Sequence, residues 1–246
     1  MQSKIPAQEI ARALFELIAR AKEEEPILAK WLEALTSCIH ACPPRQLNSR
    51  KYVLAVLTEI SIFAERWLLL KQLSPEKEKQ FLDNLNPAES YFTEILFPAW
   101  LQERNPKLTI WKKKLMKGKL EQGTAQFHQK LHRQIQNQGG SSVSPLLLDW
   151  WMNTNLIVCT ERDRCLCVQL TTASGDDLQK GLIEWEKILW HCGINRGLLL
   201  SYDPRAEHEV YLASTILSAS KTLEFGEYRT APQERKKQGQ EGLELN

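Results

Sequence analysis

Three polar residues lie at the ends of two apolar segments, and they are the side chains best placed to do chemistry. Residues 155–172 read NLIVCTERDRCLCVQLTT, which predicts two strands, at about 155–160 and 165–171, joined by a tight charged turn. Asn155 opens the first strand, and Gln169 and Thr171 close the second. Because these side chains offer only neutral oxygens, they form a weak set of ligands for a hard divalent cation.

Helices are predicted on both sides of these strands. A helix with Phe127, Leu131 and Ile135 at four-residue spacing precedes them and stops at Gly139-Gly140. We then expect a strand over Pro145 to Trp151, the paired strands, a helix over 176–191, a strand over 196–202 and a helix around 206–220. Since the strands are apolar on both faces, they should be central strands covered by helices on each side.

The N-terminal half shows helical periodicity without any strand pattern. Its apolar residues recur at steps of three and four, and Ser74-Pro75 and Asn86-Pro87 are typical helix starts. The sequence therefore predicts a helical bundle domain over residues 1–105, a basic linker or helix over 106–123, an α/β domain over 124–228 and a disordered tail over 229–246.

The basic segment near residue 115 is the candidate contact for nucleic acid. Its lysines are offset by a single nearby acid, Glu121, and could contact phosphates or simply form a solvated surface. The lysines are Lys112, Lys113, Lys114, Lys117 and Lys119.

Composition limits the function classes. The chain has 246 residues, 43% of them hydrophobic, and a formal net charge of only +2, so any binding to nucleic acid must come from a local patch rather than from overall charge. The apolar runs are too short to cross a bilayer, and we expect no membrane contact. The six cysteines lack the regular spacing of a disulfide-stapled secreted domain, which predicts a reducing cytoplasm.

Other residues with metal-binding or nucleophilic chemistry are better explained by structure. His128 and His132 lie four apart, as zinc ligands do in HExxH enzymes, but Gln129 replaces the acid and no third ligand follows at a recognisable spacing. Cysteines within the predicted strands, at positions 159, 165 and 167, are expected to pack as small apolar residues.

Residues 120–205 resemble the restriction-endonuclease-like, or PD-(D/E)xK, superfamily. Asn155-Leu156-Ile157-Val158 stands where that family has a DLIV-like phrase, and Gln169-Leu170-Thr171 stands where it has ExK or QxK. The resemblance implies an α/β fold with a helix-covered mixed sheet. In active members the Asp and the Glu or Gln bind Mg²⁺ while the Lys assists the attacking water. Asn155, Gln169 and Thr171 are all uncharged, so the resemblance implies a pseudonuclease that binds Mg²⁺ weakly or not at all.

Catalytic side chains can move to neighbouring elements in this fold, which leaves an active enzyme as an alternative. That enzyme would be a Mg²⁺-dependent nuclease. The candidate relocated residues are Asp149, Glu161, Asp163, Lys180 and Glu184, and ordinary surface charge is the competing explanation for them.

Three functions follow from these patterns. The preferred hypothesis is a non-catalytic protein without a cofactor, which acts in binding or assembly within a nucleic-acid-processing or defence complex, with protein partners and with DNA or RNA contacted through the basic segment. The first alternative is the active nuclease. The second is a protein-interaction scaffold that makes no contact with nucleic acid.

Overall fold

The computed structural model describes residues 7–40, 51–102, 122–203 and 208–231. In its N-terminal half the chain is helical, as predicted. The helices are α1 (Ala7–Glu24), α2 (Pro26–His40), α3 (Lys51–Lys71), α4 (Pro75–Asp83), α5 (Pro87–Tyr91) and, after a π-helical turn (Phe92–Leu96), α6 (Phe97–Leu101).

Both predicted helix starts in this half are confirmed by their capping contacts. The Ser74 hydroxyl accepts a hydrogen bond from the amide of Lys77, and Asn86 forms a reciprocal capping box with Glu89. Each cap satisfies an amide that has no partner inside its helix, and the proline that follows fits the first turn.

The C-terminal half is a five-stranded mixed sheet between helices. Strands β1 (Ser141–Val143), β2 (Leu156–Cys159), β3 (Cys165–Thr171), β4 (Arg196–Ser201) and β5 (Glu227–Ala231) follow one another in the order β1-β2-β3-β4-β5. The β1–β2 and β2–β3 pairs are antiparallel, whereas β3–β4 and β4–β5 are parallel. The helices are α7 (Gln122–Asn137), α8 (Leu146–Met152), α9 (Gly175–His191) and α10 (Glu209–Thr222).

The two faces of the sheet belong to two hydrophobic cores. Ile157, Cys167 and Leu199 lie on the face that we call the bundle face, where their core is continuous with that of the N-terminal helices and with α8 and α9. The opposite face, which carries Leu156 and Val168, packs against α7 and α10. The predicted helix-covered central strands are confirmed, and the mixed α/β class is therefore correct.

The segment Pro145 to Trp151 was predicted to be a strand, and this is wrong. Residues 146–152 form helix α8, and the first strand is the shorter Ser141–Val143. Five of the seven α8 residues are buried, and Asp149 is its one charged residue. A short apolar run of this kind has no periodicity that separates helix from strand.

The predicted end of the α/β domain cuts through a strand. β5 (Glu227–Ala231) pairs with β4 as a parallel edge strand, although residues from 229 onward were predicted to be disordered. Its sequence, EYRTA, is polar because an edge strand is only half buried. Residues 232–246 lie outside the described residues.

Cys159 and Cys165 are buried in the core, as predicted, but the disulfide between them was not predicted. They lie directly opposite each other on β2 and β3 and form a disulfide. The pairing follows from the strand register, which the sequence pattern alone did not fix. Cys167 is a buried free thiol, as predicted.

The Gly139-Gly140 stop of α7 is confirmed and makes a testable prediction. Gly139 has φ +83°, and the amide of Gly140 donates to the carbonyl of Ile135 at 3.0 Å, as in a Schellman motif. A Cβ on Gly140 would lie 2.4 Å from Cδ2 of Leu217. We expect Gly140→Ala to lower the free energy of unfolding by about 1–3 kcal/mol, through overpacking, in urea denaturation.

Gly181→Ala is the matched control for that substitution. A Cβ at position 181 would make an ordinary 3.5 Å contact with Leu199, and alanine favours the helical conformation of α9. We expect this variant to be at least as stable as the wild-type chain. Equal stability of the two variants would contradict the close packing at Gly140.

Candidate functional site

The three polar residues singled out in the sequence lie on the bundle face. Gln169 and Thr171 alternate along β3 with Val168 and Leu170, which face α7 and α10, and so point to the same side as Cys167. Asn155 directly precedes β2, and its amide donates to the carbonyl of Val168 at 3.0 Å. The start of β2 therefore lies beside the end of β3.

The Asn155 side chain bridges a backbone amide and a carboxylate. Its Oδ1 accepts a hydrogen bond from the amide of Leu170 at 2.7 Å, and its Nδ2 donates to Oδ1 of Asp149 at 3.2 Å. An ionised Asp at this position could still accept from Leu170, but it could not donate to Asp149. The bridge therefore depends on an amide at position 155.

Asp149 is the relocated candidate that the fold brings to this position. It lies on α8, and its Oδ2 accepts from the Tyr52 hydroxyl at 3.5 Å, the long limit of a hydrogen bond. Burial raises the pKa of Tyr52, and the neighbouring carboxylates of Asp149 and Glu59 raise it further. Tyr52 thus stays protonated and remains a donor to Asp149 at neutral pH.

Glu59 is a second carboxylate beside α8, and sequence reasoning missed it. Its Oε1 accepts from the amide of Leu147 at 3.0 Å, where Pro145 provides no side-chain cap for the helix. Burial raises the pKa of Glu59 to about 7, although its backbone hydrogen bonds act in the opposite direction. The sequence does contain a signal for this residue, because Glu59 lies on the apolar face of α3, three residues after Val56 and four before Phe63.

Gln169 and Thr171 contribute no charge to this group. Thr171 accepts a hydrogen bond from the amide of Ala173 at 3.1 Å, just beyond the strand. The Gln169 Oε1 is buried, and no described residue donates to it. A buried acceptor without a donor costs free energy.

Gln169→Leu tests that cost. Because the substitution removes the unpaired oxygen and keeps a side chain of similar size, we expect the free energy of unfolding to rise by about 1 kcal/mol. Thermal and urea denaturation would measure it. Gln169→Glu is the control, since it places a charge at the same position and should lower stability. A large loss of stability in Gln169→Leu would contradict the prediction, because it would show that Gln169 makes a stabilising hydrogen bond.

The remaining relocated candidates lie away from this cluster. Glu161 and Asp163 are exposed in the β2–β3 turn, at the opposite end of the hairpin from Asn155. Lys180 and Glu184 are on the exposed face of α9, where Lys180 pairs with Asp177 at 3.8 Å. The five lysines of the basic segment, from 112 to 119, lie outside the described residues.

The cluster does not fit a divalent cation well. The groups that could bind a cation already make other contacts. Both oxygens of Asp149 accept hydrogen bonds, Glu59 accepts one from α8, and Asn155 points its amide donor at Asp149. A cation needs lone pairs directed at one point. In the part of the chain that the structure describes, no group of three or more His, Cys, Asp or Glu side chains could hold a metal ion.

His128 and His132 do not form a zinc site with other described residues. The Nδ1 of His132 lies 2.6 Å from the Ser142 hydroxyl, and its Nε2 lies 2.9 Å from the Gln136 amide nitrogen. Burial lowers the pKa of both histidines. Both ring nitrogens of His132 thus have partners within the fold.

No described helix is both long enough and apolar enough to cross a membrane.

Comparisons with known proteins identify no relative. No family model matches the chain, and neither a curated protein nor a solved structure matches it.

Proposed function

We propose that this chain is a non-catalytic, nuclease-like protein that acts in binding or assembly within a nucleic-acid-processing or defence complex. The order of elements supports the restriction-endonuclease-like type. Members of that superfamily typically run helix, turn, strand, a hairpin of two strands that carry the motif residues, and helix. Here helix α7, the Gly139-Gly140 turn, strands β1 to β3, helix α9 and strand β4 follow one another, with α8 inserted before β2.

The observation that carries this proposal is the contact between Asn155 and Asp149. The family position for the first metal-binding acid holds an amide whose nitrogen is 3.2 Å from the nearest carboxylate oxygen. A donor directed at that oxygen occupies a lone pair that a metal would need. The Asn155 amide thus gives the Asp149 carboxylate a charge-assisted hydrogen bond, although it carries no charge of its own.

The active nuclease remains the second candidate, because Asp149 does lie beside Asn155. An active site would require Asp149 and Glu59 to turn toward a shared cation, and a lysine to replace Thr171. Lys180, the relocated candidate, has a side chain that is 74% exposed and is paired with Asp177. The geometry therefore favours the non-catalytic proposal.

Incubation of the full chain with DNA and RNA in Mg²⁺ or Mn²⁺ tests the two candidates. We expect no cleavage above that of a mock preparation from the same host. Metal-dependent cleavage that Asp149→Ala abolishes, while the variant keeps wild-type stability, would establish the active nuclease instead.

Binding to labelled DNA and RNA at increasing salt tests the contact with nucleic acid. If the basic segment contacts phosphates, affinity should fall as salt rises, because each contact releases counterions. A variant with Lys112, Lys113 and Lys114 changed to Gln should bind more weakly and depend less on salt. Binding that is absent at low salt, with protein partners copurifying, would favour the scaffold.

A further inference from the structure

The β2–β3 turn is closed by a covalent bond at its base. Cys159 and Cys165 are six residues apart and opposed across the two strands. The residues between them include Glu161, Arg162 and Asp163, which are exposed. The disulfide thus restrains a short, charged surface turn without lying on the surface itself.

That turn holds helix α4. The Arg162 guanidinium donates to the carbonyls of Leu82 and Asp83, both at 3.1 Å, and lies 3.6 Å from the Asp83 carboxylate. These contacts place a cation at the C-terminus of α4, where the helix dipole favours it, and add a donor to carbonyls of the last turn. Since α4 has no buried residue, apolar packing holds it weakly, and the contacts of Arg162 are correspondingly important.

The surroundings of Cys165 also suit a free thiol. Its sulfur lies 3.5 Å from the carbonyl oxygen of Arg162 and 3.7 Å from those of Glu161 and Pro87. A sulfur in a disulfide has no proton to donate, whereas a thiol is a weak donor that these carbonyls could accept. The reduced state would therefore leave no polar group of Cys165 without a partner.

We propose that the Cys159–Cys165 disulfide is a reversible redox switch that controls how firmly the β2–β3 turn holds α4. The bond keeps the turn in place under oxidising conditions, and its reduction loosens the turn and releases α4. This proposal does not depend on the nuclease-like assignment. A reversible bond is also compatible with a reducing compartment, where Cys159 and Cys165 would be present mostly as free thiols.

The reductant is a dithiol. A thiolate of the dithiol attacks one protein sulfur and forms a mixed disulfide, and the Cys159–Cys165 bond breaks. The second thiol of the dithiol then displaces the protein sulfur. The protein gains two electrons and two protons as two thiols, and the dithiol becomes a disulfide. Cys167 supplies no attacking thiolate, because burial raises the pKa of its thiol.

Amide hydrogen exchange of the full chain, oxidised or treated with dithiothreitol, tests the switch. Mass analysis first verifies the 159–165 bond in the oxidised sample. We expect reduction to speed exchange in α4 and in residues 160–164 by about tenfold or more, because the constraint on the turn is lost. Exchange in α1 should not change.

Three variants separate the disulfide from general destabilisation. Cys165→Ala should show fast α4 exchange with or without reductant, whereas Cys192→Ser should respond like the wild-type chain. Arg162→Ala should release α4 while the disulfide stays intact. The proposal is overturned if α4 exchanges equally in the oxidised and reduced wild-type chain, or if no 159–165 bond forms under oxidising conditions.

Discussion

Replacing Asn155 by Asp is expected to lower the free energy of unfolding by about 2–4 kcal/mol near neutral pH. The substitution keeps the acceptor for the Leu170 amide but turns the donor to Asp149 into a second carboxylate. Oxygens of the two carboxylates would then lie about as close together as Asn155 Nδ2 and Asp149 Oδ1 do now, at 3.2 Å. Like charges so close raise the pKa of one carboxyl group, so the loss should shrink at acid pH, where that group is protonated and can donate. Urea denaturation at both pH values measures the effect.

Asn155→Ala is the matched control. It removes both hydrogen bonds of the bridge and adds no charge, so its loss of stability should not depend on the ionisation of a new group. Millimolar Mg²⁺ should stabilise the Asn155→Asp variant, which has two adjacent carboxylates, but not the Ala variant. An Asp variant as stable as the wild-type chain at neutral pH would show that the bridge is not needed.

Glu59→Gln is expected to make the chain more stable in alkaline buffer. The pKa of Glu59 is raised in the folded state to about 7 by burial, above its value in the unfolded chain. The contribution of Glu59 to the free energy of unfolding is therefore fully present below about pH 4.5, and it is lost as the pH rises through about 7. Ionisation of the buried group then costs up to roughly 3 kcal/mol at about pH 8. Gln avoids this cost and still accepts from Leu147.

Denaturation from about pH 4 to pH 8.5 measures the free energy of unfolding of the wild-type chain and of Glu59→Gln. The advantage of the variant should be smallest at acid pH and should grow as the pH rises. Glu59→Ala is the control: it loses the acceptor for the α8 amide and should lose about 1–2 kcal/mol even at acid pH. The burial assigned to Glu59 would be wrong if wild type and Glu59→Gln had parallel pH profiles.

The fold was predictable where local signals are strong. Capping residues such as Ser74 and Asn86 fix helix starts through contacts within one turn, and the apolar runs of β2, β3 and β4 mark covered strands. Helix α8 and strand β5 were missed for opposite reasons. Helix α8 is apolar except for Asp149 and is too short to show a period, whereas strand β5 is polar because it is an edge strand.

The candidate site was predictable only in part. Asn155, Gln169 and Thr171 are found from their strand positions, and Asp149 was among the relocated candidates. Tyr52 and Glu59 reach this cluster from the helical half, across sequence separations of 97 and 88 residues. Such contacts depend on how two distant segments pack, which periodicity does not encode. The disulfide likewise required the β2–β3 register.

Calorimetric titration of the wild-type chain with Mg²⁺ and Mn²⁺ tests the central claim most directly, namely that the cluster at Asn155 and Asp149 is an internally bonded amide–carboxylate pair rather than a metal site. We predict no saturable binding at millimolar metal and no shift of the melting temperature. Saturable binding of either ion that Asp149→Ala abolishes would contradict the account.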